Sequence, residues 1–185
     1  ERHEISNVLP LDSGDYGMYI MNTEQQKLSS SQILSLPANS DKTVFFYLTE
    51  VEEEDDGDDD TVEETELFVN SLITDNNPIS GAYHHEIQIV NFVEDYSTVT
   101  VYFVAKGETI SSTANKVLNA RAVPSKLTLL NDDYDVFVLA QEGASEVLLA
   151  NTQLTLDTDS DNLYLIVEQE DKDIDDYQIQ FKSQH

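Results

Sequence analysis

The sequence predicts an all-β protein made of two tandem antiparallel β-sandwich repeats with little helix. Three observations carry that expectation. The first is an internal repeat, in which residues 85–157 read as an edited copy of residues 3–75. His3-Glu4-Ile5 recurs as His85-Glu86-Ile87, Met18-Tyr19-Ile20-Met21 as Val101-Tyr102-Phe103-Val104, and Thr43–Leu48 as Tyr134–Leu139. Leu67–Leu72 is answered by Leu148–Leu154 with one residue inserted. A unit of that length is a small domain used twice, too long for a solenoid turn. The second observation is period-two alternation in short runs of Val, Ile, Leu, Tyr and Phe, the mark of half-buried strands. The third is the regular return of turn residues at a spacing of about 8–12, the pattern of a sandwich or barrel.

Taken in chain order, the first repeat spans residues 1–82. Asp12-Ser13-Gly14-Asp15 and Asn39-Ser40-Asp41 are turns, because Asn and Asp side chains bond back to the local backbone. Strands Val44–Leu48 and Leu67–Val69 bracket Glu50–Glu66, which holds twelve acids, no base and one Gly. The second copy has only the short loop Gln141–Glu146 there, so the first carries an acidic insertion at a hairpin tip, 50–66. Pro78 and Ser80-Gly81 mark the linker. The second repeat spans residues 83–185. In it Val99, Val101 and Phe103 oppose Thr100 and Tyr102, while Val136–Ala140 is apolar on both faces and reads as a central strand. Asn131-Asp132-Asp133 and Asp157–Asn162 are turns. Leu163–Val167 is a strand, and Tyr177, Ile179 and Phe181 alternate with Gln178, Gln180 and Lys182 in another. Ser29–Leu34 and Ser111–Leu118 each hold a turn or two of helix at most, closed by Pro37 and Pro124.

Charge excludes more than it specifies. A formal −28 over 185 residues leaves nine Lys and Arg, too few for the basic stripe that phosphate backbones require. Docking on anionic lipid is disfavoured for the same reason. Cysteine is absent, which removes disulfides, thiolate zinc, iron–sulfur clusters and thiol catalysis. No run of 18 apolar residues exists to span a membrane. The acidity fits three uses: adaptation to a salty exterior, cation binding, or an electrostatic docking face. A start at Glu1 without Met reads as a mature or trimmed chain whose targeting segment was removed.

A family likeness rests on the second copy. Ile87-Gln88-Ile89-Val90-Asn91-Phe92, Val99-Thr100-Val101-Tyr102, Leu127-Thr128-Leu129, Asp133-Tyr134-Asp135-Val136, Leu154-Thr155-Leu156 and Asn162–Val167 follow one another in an order that resembles the tandem extracytoplasmic bacterial modules of domain-of-unknown-function family 4397. The chain has Asp133 where that pattern has Gly, and Val93-Glu94-Asp95-Tyr96 where it has a Pro-containing turn. The resemblance implies two tandem immunoglobulin-like antiparallel β-sandwich repeats, export from the cytoplasm, and a place in the periplasm, on the outer membrane by a lipid anchor upstream of Glu1, or outside the cell. It implies no activity.

Candidate chemistry is sparse. Asp157-Thr158-Asp159-Ser160-Asp161-Asn162, with Glu168 at the twelfth position, follows the calcium-loop spacing with Asn in place of Gly. Asp157, Asp159 and Asp161 are therefore candidate calcium ligands. A strand over Leu163–Val167 would carry Glu168 about 20 Å from the turn, so Glu168 is not expected to close the site. The acidic run 50–66 is a candidate for weak calcium binding. His84 and His85 are adjacent on a strand and point to opposite faces, which prevents them from chelating one ion. Tyr16, Tyr83, Tyr96 and Tyr134 are candidates for sugar stacking, for anchoring an interface, or for capping the core ends. No catalytic residue and no cofactor site is marked: there is no G-x-S-x-G, H-E-x-x-H, P-loop or G-x-G-x-x-G motif. The expected function is a non-enzymatic, exported bacterial surface or periplasmic binding or adhesion module with a salt-adapted acidic surface and a protein or glycan ligand. The alternatives are a calcium-stiffened structural spacer in an envelope assembly and a carbohydrate-binding module.

Overall fold

The structure, a computed structural model, describes residues 8–29, 31–51, 66–76, 83–121, 123–171 and 176–184. Every regular element in it is a strand, and the chain divides into two compact units, Glu1–Asn76 and Asn77–His185. The division falls six residues before the expected boundary at 82.

The second unit is a sandwich of two four-stranded sheets. Its strands are β5 (His84–Asn91), β6 (Thr98–Ala105), β7 (Lys116–Ala120), β8 (Ser125–Leu130), β9 (Asp132–Glu142), β10 (Ser145–Leu156), β11 (Leu163–Asp171) and β12 (Asp176–Ser183). One sheet has the order β10-β9-β6-β7 and is wholly antiparallel. The other has the order β12-β11-β5-β8, with β5 and β11 parallel from Ile87↔Leu163 to Asn91↔Val167. Alternation decides which side chains are enclosed. Ile87 and Ile89 from β5, Val99, Val101 and Phe103 from β6, Val136 and Val138 from β9, and Leu165 and Val167 from β11 meet in one core at no more than 1% exposure. Tyr177, Ile179 and Phe181, the inward residues of β12, pack against its rim. The strand order differs from that of an immunoglobulin constant domain, where the first two strands share a sheet. Here the first strand, β5, lies between β8 and β11, and the second, β6, lies in the opposite sheet.

The first unit is smaller in its described part. Strands β1 (Gly14–Met18) and β2 (Gln32–Leu36) form one hairpin, and β3 (Lys42–Val51) and β4 (Glu66–Asp75) another. Asn76 ties the base of the second hairpin by donating to Asp41 Oδ1 and Thr43 Oγ1, while Lys42 pairs with Asp75 at 2.5 Å. β3 and β4 flank the acidic insertion as expected, but its residues 52–65 lie outside the described residues, as do His3–Ile5 and the linker. The four strands of this unit stand at the repeat positions of β6, β7, β9 and β10, which together make one sheet of the second unit. Among the described residues no strand answers β5, β8, β11 or β12. Leu34 and Leu72 are accordingly the buried apolar side chains described here.

The two segments expected to hold a turn of helix do not. Gln32–Leu36 and Lys116–Ala120 are strands, and each follows an irregular connection. A serine run leading into an apolar pair fits either state, and cross-strand pairing decided for the sheet.

Candidate functional site

Asp157, Asp159 and Asp161 sit in the exposed turn between β10 and β11. The Asp157 carboxylate is engaged locally: its Oδ1 accepts from the Asp159 backbone N–H at 2.9 Å and from Ser160 Oγ at 3.1 Å, and Ser160 N–H donates to the Asp157 carbonyl at 3.1 Å. These bonds build the turn with the side chain that a cation would need. Among the described residues no three His, Asp or Glu side chains converge closely enough to hold a metal. Glu168 lies well along β11, buried, and accepts from Gln180 Nε2 at 2.5 Å.

Of the other predicted positions some are built into the fold and some face solvent. His85 is 3% exposed and its Nε2 meets Asn131 Oδ1 at 2.7 Å, while His84 faces solvent. Tyr134 is buried at the sandwich end, where its hydroxyl donates to the Leu130 carbonyl at 2.9 Å and its ring meets Phe103 edge-on. Tyr16 makes the same four-residue return, to the Asp12 carbonyl. Tyr96 packs on the core rim beside Tyr177, and Tyr83 is 64% exposed.

Two polar groupings and one apolar one lie where the sequence gives no motif. On the outer face of the β12-β11-β5-β8 sheet, Glu86 is buried and accepts from Lys126 Nζ at 2.9 Å and from Gln88 Nε2 at 3.0 Å. At one end of the sandwich, Asp95 Oδ2 accepts from Gln169 Nε2 and Tyr177 Oη at 2.8 and 2.9 Å, and Gln169 Oε1 is buried with no donor among the described residues.

The third grouping occupies the outer face of the β10-β9-β6-β7 sheet, the side that solvent normally keeps polar. Register places Leu118, Thr100, Leu139 and Leu148 in one row across all four strands. Leu118 and Leu148 at its ends are 68% and 50% exposed, while Leu139 in the middle is covered in a cluster with Tyr102, Val104, Ile110 and Phe137. Tyr102 reaches across this face to Glu146 Oε1 at 3.3 Å. Neither exposed leucine is singled out by sequence patterning, since the row exists only once four strands are in register. The available signal is the Leu148-Leu149 doublet, which must put one leucine on the wrong face of any regular strand.

Burial holds the Tyr102 hydroxyl above its ordinary value of 10.0, and the charge and hydrogen bond of Glu146 add to the effect. Burial, then the charge of Asp132, raises Tyr134 above the same value. A folded-state value above the unfolded one means that this stability is complete below pH 10 and is lost as pH rises through the raised value. Tyrosinate absorbance should therefore show at least two of the nine tyrosines ionising late and together with alkaline unfolding. Tyr134→Phe, followed in the same titration, should remove one of them.

No family model, curated protein or solved structure matches the chain.

Proposed function

We propose that this chain is a non-enzymatic binding module of the bacterial exterior, held in the periplasm or at the cell surface, with an acidic surface suited to salt. The observation that carries the reading is the leucine row on an outer sheet face, in a protein whose charge otherwise favours hydration and separation. Exposed apolar residues aligned across a rigid sheet offer a contact surface and no reactive group. The acidity is the counterpart of that surface: like charges keep copies apart at low ionic strength and are tolerated when salt screens them.

A melting experiment in chelator, in about 5 mM calcium and in about 1 M sodium chloride tests this against the calcium-stiffened spacer. The expected result is a midpoint that climbs with sodium chloride and shows no calcium effect beyond matched ionic strength. A calcium-specific rise of several degrees would overturn it in favour of the spacer.

A further inference from the structure

We propose that the end of the second unit at which β5 and β11 finish binds the ammonium group of a partner protein's lysine, held by Asp95 and Gln169 beside the rings of Tyr96 and Tyr177. The site lies apart from the leucine row that carries the binding-module reading and does not depend on it.

An unmet acceptor points to a ligand here. Gln169 follows Leu165 and Val167 in the inward series of β11, opposite Tyr177 on β12, and is 9% exposed at the end of the core. Its Nε2 donates to Asp95 Oδ2 at 2.8 Å, which fixes the orientation of the amide, because a carboxylate only accepts. Oε1 is thereby left buried with no donor among the described residues, a desolvation cost that a bound donor would remove. Asp95 is exposed, in the connection between β5 and β6. Among the described residues no base pairs with it. Arg121 is held instead by Glu94, through the carbonyl at 3.3 Å and the carboxylate at 3.7 Å. A buried amide oxygen beside an unneutralised carboxylate requires a cation that carries N–H donors, and a chain of −28 draws cations to it.

The spacing fits an ammonium. The nitrogen and oxygen of a carboxamide are about 2.2 Å apart, so Gln169 Oε1 lies no more than about 5 Å from Asp95 Oδ2. An ammonium donates at tetrahedral angles, and at about 2.8 Å per bond two of its acceptors stand about 4.6 Å apart. A guanidinium fits less well, because its fork needs both carboxylate oxygens and Asp95 Oδ2 already accepts from Gln169 and Tyr177. A divalent metal lacks ligands, since no three His, Asp or Glu side chains converge among the described residues. Tyr177 Oη is 2.9 Å from Asp95 Oδ2, so a cation bonded there can come within about 6 Å of the Tyr177 ring, the range of cation–π attraction. The Tyr96 ring lies 6.2 Å from that ring at 52°, an inclined pair that gives the alkyl stem of a lysine an apolar wall. Because Asp95 is exposed and belongs to a connection, the ammonium enters from its side, and that connection yields to let it reach Oε1.

An NMR titration of the whole chain, followed at the Gln169 side-chain amide and the Tyr96 and Tyr177 rings, tests the proposal. The probes are lysine blocked at both ends as its acetyl and methylamide derivative, the same molecule trimethylated on Nζ, n-butylammonium and methyl glucoside, all at one ionic strength. Blocked lysine is expected to give saturable shifts and to bind about 10-fold more tightly than its trimethyl form, which keeps the charge and stem but has no N–H to donate. Asp95→Asn keeps an acceptor for Gln169 and Tyr177 but removes the charge, and should weaken blocked lysine by about 10-fold. Gln169→Met removes Oε1 at similar length and should bring the two lysine forms together. Equal binding of those forms to the wild type, undiminished binding to Asp95→Asn, or a response that never saturates would each overturn the proposal. Binding of n-butylammonium without blocked lysine would leave the site to free amines, and binding of methyl glucoside in its place would give it to a sugar; either overturns the proposal as well. If Gln169→Met fails to fold, the comparison of the two lysine forms and the Asp95→Asn variant, changed at an exposed side chain, still decide.

Discussion

Phe103→Ala is expected to cost about 3–5 kcal/mol of folding stability, the range for emptying a large aromatic site in a closed core. Phe103 has no exposed surface. It projects from β6, a strand paired on both sides, into the space between the two sheets. Its ring centroid lies 6.4 Å from that of Tyr134 at 87°, the edge-to-face arrangement that adds to simple burial. Its backbone is fixed as well, with the carbonyl accepting from Thr113 Oγ1 and the N–H donating to the Asn115 carbonyl. The neighbours therefore cannot collapse into the cavity without breaking the β6–β7 connection. Against a whole-domain stability of about 5–15 kcal/mol the loss is large, and the melting midpoint of this unit should fall by 15 degrees or more, roughly. Phe103→Leu, which keeps most of the volume, should cost about 1.5 kcal/mol or less. Urea unfolding by circular dichroism measures both variants. A loss below about 1 kcal/mol for the alanine would mean that the two sheets do not share this core.

How far the fold was legible follows from which forces are local. β12 was readable because Tyr177, Ile179 and Phe181 alternate without a fault, and the chain needs nothing distant to form that pattern. The turn at Asp157–Asn162 was readable because its bonds join residues two and three apart. β7 was not, since Lys116–Ala120 becomes a strand only by pairing with Thr98–Tyr102. The repeated segments that have described strands in both copies belong to a single sheet. The opposite sheet depends on β5 lying parallel to β11, about 75 residues away along the chain. The same limit applied to the site. Spacing shows three aspartates within reach of one turn, whereas ligation needs carboxylates that converge, and the Asp157 carboxylate is turned to its own backbone. The leucine row is wholly a product of register.

Asn119 shows how one polar side chain holds that arrangement, and its replacement carries the second large effect. It is fully buried on β7, the edge strand of one sheet. Its Nδ2 donates to the carbonyl of Ile89 on β5 in the other sheet at 3.0 Å, to the Val123 carbonyl in the crossover at 2.8 Å and to Ser125 Oγ at the start of β8 at 3.0 Å. The amide thus fastens the point at which the chain leaves one sheet for the other. Its own Oδ1 is buried with no donor among the described residues, so the site already bears a desolvation cost that the three contacts offset. Asn119→Ala removes the donor and strands the buried Ile89 carbonyl, with an expected loss of about 2–4 kcal/mol. Asn119→Asp should be worse at neutral pH, because it sets a carboxylate against those carbonyl oxygens. Burial and that repulsion would raise the new carboxyl above its unfolded value of about 4. With the folded value raised, the protonated form is the one the native state prefers, so stability is retained below pH 4, roughly, and lost as pH rises through the raised value. The gap between Asn119→Asp and the wild type should therefore narrow in acid, while the gap for Asn119→Ala should not change with pH. Equal, pH-independent losses in the two variants would show that Asn119 acts through its volume and that the crossover is held by packing alone.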